Sequence, residues 1–318
     1  MKKKICSFIV LCFILASALF PAGSANTKSG YAKIPFTFDF SSYMPGFLLE
    51  DCEGGEPLKI IFDSGYNHEV FYRSAIKKAG KEAEDMLVGM IAQQYMTLSP
   101  GISQKKLAGK IQEFLEQGDP DITVGLTCTD SFVRKNLYID SHPFLFDPAP
   151  AARQKEDGIV GLKFFGACDR LTIDYVNNVI VINGKPLSGV EGPLVKVPML
   201  ELYKTEIEVD GIRQDAIIDT GAQVFVLCDV SAMTMTDEEK LDFIMNGKIQ
   251  TSSPACKEVT VSFGSISRKL EACRSSDRNA KANENGRRGG YVYNLLGYSF
   301  FEGHRIQFDF KHGKFIME

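Results

Sequence analysis

The 318 residues contain no tryptophan and only four histidines, His68, His142, His304 and His312. None of the four lies near a Gly-x-Ser-x-Gly string or a nucleophile-like cysteine, which argues against Ser/His and Cys/His hydrolases. His-Glu-x-x-His, P-loop and dinucleotide fingerprints are absent, so no metal or nucleotide cofactor is expected. The eight cysteines include no Cys-x-x-Cys pair, which excludes the usual zinc clusters. Charge of neither sign dominates: 36 basic and 40 acidic residues leave a net charge of −4, poorly suited to nucleic acid.

Long apolar runs are absent except at residues 5–20. That run follows Lys2-Lys3-Lys4 and precedes Pro21 and the small residues Ala22-Gly23-Ser24-Ala25. A basic start, an apolar middle and a small-residue end read as a secretory signal over residues 1–25, cleaved near Ala25. The chain is therefore expected to be exported, periplasmic or secreted. The competing reading is membrane anchoring through residues 5–20, a run short for a span. Cys6 and Cys12 leave with the signal. Cys52, Cys128, Cys168, Cys228, Cys256 and Cys273 remain, enough for up to three disulfides in any of fifteen pairings.

The chain is organised around Asp219-Thr220-Gly221. A β-branched apolar run, Ala216-Ile217-Ile218, delivers the aspartate into a tight turn, and Val224-Phe225-Val226-Leu227 leaves it. This pattern presents a carboxylate from the end of a buried strand. Glycine lets backbone amides approach the carboxylate, and a threonine hydroxyl can bond a neighbouring strand. A second copy, Ile60-Ile61-Phe62-Asp63-Ser64-Gly65, has the same form. The two halves are expected to bring Asp63 and Asp219 together.

Further matches occur in the same order in both halves. Gly158-Ile159-Val160-Gly161-x-x-Phe164-Phe165 parallels Asn294-Leu295-Leu296-Gly297-x-x-Phe300-Phe301, and each precedes a strand ending apolar-Asp-aromatic, Ile173-Asp174-Tyr175 and Phe308-Asp309-Phe310. The duplication divides the mature chain into lobes 26–185 and 194–318, joined by a linker over 183–193. Helices are expected at 74–83, capped by Ser74, at 103–117, and from the capping box Thr236-Asp237-Glu238-Glu239 into Leu241, Ile244 and Met245. A loop is expected at 142–157 and a solvated excursion at 274–290. Asp174 and Asp309 read as solvent-facing strand residues.

These paired motifs resemble those of the pepsin- and retropepsin-type aspartic peptidases, and the stretch from Leu296 to Phe310 is especially similar to bacterial retropepsin-like proteins. The resemblance implies a mostly β fold of two pseudo-symmetric acid-protease-like β-barrel lobes with a few short helices. It pairs Asp63-Ser64-Gly65 with Gly161, and Asp219-Thr220-Gly221 with Gly297. It also assigns catalysis to Asp63 and Asp219, with Ser64 and Thr220 bracing the two loops. Two carboxylates about 3 Å apart share a proton. The ionised one activates water as a general base, and the protonated one polarises the scissile carbonyl. The implied activity is an endopeptidase on peptide or protein substrates, acid-side in pH, with no cofactor and no metal. Both lobes lie in one chain, so a monomer suffices.

Three features depart from the pattern or extend it. Tyr66 stands where the family has a small residue. His68 and Glu69 read as exposed turn residues. Flap candidates are Tyr95 and the turn Thr251-Ser252-Ser253-Pro254. Tyr66 keeps open the alternative of a catalytically inactive relative that acts as an exported peptide-binding or protein-interaction module.

Overall fold

In the computed structural model, residues 30–318 are described apart from 40, 42, 50–55, 67–68, 118, 120–123, 128–131, 135–136, 140–142, 148–154, 166–167, 198–201, 229–235, 238, 241–256 and 274–292. The signal segment, the Thr251–Pro254 turn, the 274–290 loop and the helix expected after Glu239 therefore lie outside or largely outside the described residues. Among the described residues no helix is long and apolar enough to cross a membrane.

The first half runs through β1 (Ala32–Pro35), β2 (Gly46–Leu49), β3 (Leu58–Phe62), β4 (Val70–Tyr72), α1 (Arg73–Ala79), α2 (Lys81–Leu98), α3 (Gln104–Gln117) and β5 (Gly125–Thr127). It continues with the small hairpin β6 (Phe132–Arg134) and β7 (Leu137–Ile139), then β8 (Pro143–Asp147), β9 (Gly158–Val160), a 3-10 turn (Leu162–Phe165), β10 (Arg170–Asp174) and β11 (Val179–Ile182). The second half comprises β12 (Val190–Pro193), β13 (Val195–Lys196), β14 (Tyr203–Val209), β15 (Ile212–Ile218), β16 (Phe225–Val226), β17 (Lys257–Phe263), β18 (Ile266–Cys273), β19 (Asn294–Leu296), α4 (Tyr298–Phe301), β20 (Arg305–Asp309) and β21 (Lys314–Met317).

The fold is mostly β, with two barrel-like lobes and few helices. The first lobe's sheet has the order β2-β3-β9-β4-β8-β5, and the second lobe's β13-β14-β15-β19-β16-β18-β17. A third sheet, β1-β11-β10-β20-β21-β12, takes strands from both halves. At its centre β10 and β20 pair antiparallel, Ile173 opposite Ile306, so the duplicated strands meet across the pseudo-symmetry axis.

Within each lobe the aspartate strand lies parallel to the later apolar strand. Phe62 stands opposite Val160, and Ile218 opposite Leu296. Such strands are buried on both faces, which is why they read as unbroken apolar runs. The two Phe-Phe pairs, Phe164-Phe165 and Phe300-Phe301, are fully buried. Phe165 meets Phe62 edge-on at 5.3 Å, and Phe301 meets Phe315 at 6.2 Å. Each such ring contributes roughly 1.5–3 kcal/mol of burial. The repeated motif thus anchors each aspartate strand to its lobe's core.

Several local expectations are corrected. The first helix starts at Arg73 with no side-chain cap, and the Ser74 hydroxyl donates instead to the Glu156 carbonyl. Gly80, at φ +96°, ends α1, and a separate eighteen-residue α2 follows. The buried residues of α2, Ala83, Leu87, Met90, Ile91 and Tyr95, have helical spacing, so the signal was present beyond residue 83. The 142–157 stretch contains β8, whose proline sits at the first residue of the strand.

Residues 190–193 of the expected linker form the edge strand β12 against β21. Asp174 and Asp309 are buried rather than solvent-facing. Asp174 accepts from the Val176 and Asn177 amides, closing a turn, while Asp309 accepts from Arg170 Nε at 2.9 Å and from the His312 amide. Glu69 is likewise buried, and His68 lies outside the described residues. Cys168 and Cys228 are buried thiols. Cys52, Cys128, Cys256 and Cys273 have side chains outside the description.

Candidate active site

Strands β3 and β15 deliver Asp63 and Asp219 to the junction of the lobes, and each backbone is tied to its parallel neighbour. The Asp63 amide donates to the Val160 carbonyl and the Asp219 amide to the Leu296 carbonyl, both at 3.0 Å. Each chain then turns at once. The Tyr66 amide donates to the Asp63 carbonyl and the Ala222 amide to the Asp219 carbonyl. The later glycines are required by close approach. A Cβ on Gly161 would run into the Tyr66 carbonyl oxygen, and one on Gly297 into those of Ala222 and Val224.

The turns interlock across the lobes. Ser64 is fully buried, and its hydroxyl donates to the Ile218 carbonyl at 2.7 Å and accepts from the Thr220 amide at 2.9 Å. The Ser64 amide donates to the Thr220 hydroxyl at 2.9 Å. Gly65 and Gly221 are placed reciprocally. A Cβ on Gly65 would lie 2.6 Å from Asp219 Oδ2, and a Cβ on Gly221 would overlap the Asp63 carboxyl. Each aspartate therefore lies against the glycine of the opposite turn, so the eight residues expected from the sequence stand together in one place.

The two carboxyls share this site unequally. The Gly65 amide donates to Asp63 Oδ1 at 2.8 Å, whereas Asp219 Oδ1 receives the Gly221 and Ala222 amides at 2.9 and 3.0 Å. Burial pushes the Asp63 carboxyl well above the usual carboxylate range, and the adjacent Asp219 charge adds to this. Burial also raises Asp219, against its hydrogen bond from Asp63 and its two backbone donors. Both carboxyls are thus raised, Asp63 the more strongly, and the two titrate as a pair.

No family model and no curated protein sequence matches this chain. Among solved structures it is similar to an aspartic proteinase from Irpex lacteus, at 9% identity and a TM-score of 0.45, over 91% of this chain and 97% of that one. At that score the likeness carries no argument, and the chemistry rests on the geometry above.

Three participants were not singled out from the sequence: the Ile218 carbonyl, the Ala222 amide and Tyr175. Tyr175 stacks on Phe301 and meets Phe36 and Tyr298 edge-on. Its buried hydroxyl has no hydrogen-bond partner among the described residues. Burial pushes this phenol well above its usual range, and Tyr298 and the two aspartates push the same way. The apolar-Asp-aromatic repeat pointed to this residue, but its depth beneath the turns depends on the shared sheet. Tyr95 is not a flap residue. It lies in α2, buried, with its hydroxyl donating to Asp119 Oδ2 at 2.8 Å.

Proposed function

We propose that the chain is an exported aspartic endopeptidase acting through the Asp63/Asp219 pair. The observation carrying this reading is the reciprocal clasp of the two Asp-hydroxyl-Gly turns, which sets each carboxyl against the glycine of the opposite turn. A water between the carboxyls would lose a proton to Asp219 as it attacks the scissile carbonyl. Asp63 would donate its proton to the carbonyl oxygen, and the roles would then exchange to protonate the leaving amine. Ser64 and Thr220 hold the spacing, and Gly65 and Gly221 leave room for the opposing carboxyls.

A second reading, a non-hydrolytic peptide-binding module, draws on Tyr66. Its backbone takes the place that small Ala222 takes in the other turn, and it carries a much larger side chain there.

One experiment addresses both readings. Purified chain from Asn26 onward is incubated with a mixed peptide pool from about pH 3 to about pH 8, beside Asp63→Asn and Asp219→Asn. Acid-side cleavage lost in each variant supports the peptidase. Peptide binding without cleavage at any pH supports the binding module. Cleavage that survives Asp63→Asn refutes the pair.

A further inference from the structure

Tyr175 directly follows β10, which pairs with β20 at the centre of the shared sheet, and its amide donates to the His304 carbonyl at 3.1 Å. Its ring is wedged between the two halves. On one side stands Phe36, 6.0 Å away between ring centres. The next residue, Thr37, bonds Gly46 through both backbone groups, at 2.7 and 2.8 Å. Gly46 in turn lies opposite Ile61, two residues before Asp63. On the other side stand Tyr298 at 5.6 Å and Phe301 at 6.3 Å. The Tyr298 amide donates to the Ala222 carbonyl at 2.8 Å, and the Ala222 amide donates to Asp219 Oδ1 at 3.0 Å. Phe38 closes the cluster, 5.5 Å from both Phe36 and Tyr298. Tyr175 therefore packs against a neighbour of each aspartate turn.

A phenylalanine would fill this space equally well. The hydroxyl is buried and has no hydrogen-bond partner among the described residues. Leaving it so costs about 1–3 kcal/mol, and a group left in that state asks for a functional reason. The polar groups on the surrounding elements are committed elsewhere. The Tyr298 hydroxyl donates to Glu302 Oε1 at 3.1 Å. Asp174 accepts the Val176 and Asn177 amides and the Asn177 side chain. His304 Nδ1 lies 3.3 Å from the Glu318 carbonyl oxygen, and Arg305, opposite Asp174, pairs with the Glu318 carboxylate at 2.6 Å. Lys33 and Asp39, on either side of Phe36, are exposed. Burial, Tyr298 and the two aspartates all oppose ionisation of the phenol, so it stays neutral wherever the carboxyls titrate. It keeps its proton and its dipole throughout.

We propose that Tyr175 is a positioning residue of the Asp63/Asp219 pair, its uncommitted O–H dipole turning toward the negative charge that the pair carries. A hydroxyl dipole orients in the field of nearby charge, and a donor favours the anion. It therefore eases ionisation of the pair, against the burial that hinders it. The second ionisation gains at least as much as the first, because the charge it faces is larger. The hydroxyl transfers no proton and makes no bond to substrate. The proposal rests on the reading of the two aspartates as one working pair, but its test does not require cleavage.

That test is an NMR titration of protein carrying ¹³C at aspartate Cγ, wild type beside Tyr175→Phe, from about pH 3 to about pH 8. The two resonances are assigned by their loss in Asp63→Asn and Asp219→Asn. In Tyr175→Phe both ionisations of the pair should move up by about half a pH unit, a change that lost packing alone would not produce. The limbs of any peptide-cleavage profile should move with them. A second measurement uses the wild-type side chain. With ¹³C at tyrosine Cζ, the Tyr175 resonance should follow the titration of the pair and stand still in the double variant Asp63→Asn/Asp219→Asn. Both shifts without cleavage at any pH would support the role of Tyr175 while removing the peptidase reading. The proposal is overturned if the pair titrates within about 0.1 pH unit of wild type in Tyr175→Phe, or if the Tyr175 resonance does not move as the carboxyls ionise.

Discussion

Replacing Ser64 with alanine tests the clasp that holds the two turns together. Its single oxygen serves two buried backbone groups on the opposite lobe, the Ile218 carbonyl and the Thr220 amide, and all three residues are fully buried. The substitution creates almost no cavity, so the cost falls on polar groups left without partners. Each such group costs about 1–3 kcal/mol, which puts the loss at roughly 2–6 kcal/mol. Against a typical stability of about 5–15 kcal/mol that is a large fraction.

Urea unfolding followed by circular dichroism, with an unchanged m-value, reads the difference. Thr220→Val removes the acceptor of the Ser64 amide and should cost about 1–3 kcal/mol by the same reasoning. The double variant should lose less than the sum, because both substitutions open one shared network. Peptide cleavage should fall by about a hundredfold in Ser64→Ala, since a shift of about 1 Å between reacting groups is enough. If Ser64→Ala costs less than about 0.5 kcal/mol, as an ordinary surface change does, the lobes are not joined through this hydroxyl and the argument fails.

Asp63→Asn should change the pH dependence of stability as well as abolish cleavage. A carboxyl raised in the folded state binds its proton more tightly there. It therefore contributes a loss of stability as pH rises from the ordinary value of 3.8 through the raised one. Subtracting the variant's urea-derived stability from the wild type's at each pH should reveal this fall, at up to about 1.4 kcal/mol per pH unit; a flat difference would contradict the shared proton. Gly221→Ala should eliminate cleavage while the chain still folds, because its Cβ would overlap the Asp63 carboxyl; retained turnover would refute the reciprocal packing. Tyr175→Phe should leave urea stability unchanged or raise it by about 1–3 kcal/mol, since its buried hydroxyl has no partner among the described residues. Burial pushes the Cys168 thiol up to about 11, so iodoacetamide should label it only after unfolding, as mass spectrometry can read.

The order of the chain carried much of this protein on its own. Ile60 to Gly65 and Ala216 to Gly221 show strand, carboxylate and turn directly, because a strand buried on both faces leaves an unbroken apolar run and a tight turn leaves its glycine. The later Gly161 and Gly297 were legible as their partners because the motif recurs in the same order. The turn Asp210-Gly211 between β14 and β15 has positive φ at both residues, as a two-residue hairpin requires. Short-range rules also misled. Asp174 and Asp309 look solvent-facing by alternation, yet they are buried, where Asp174 accepts the Asn177 amide of its own turn and Asp309 the Arg170 guanidinium of the paired strand. Residues 190–193 look like a linker, since a Gly-Pro strand shows no β-propensity until β21 lies beside it.

The burial that raises both aspartates cannot be read from residue order. It depends on how the two turns are buried against each other where the lobes meet, and on the charge of the opposite carboxyl. Residue order determines which groups are available. Only the packing of distant strands determines which of them share a proton and which are left without a partner.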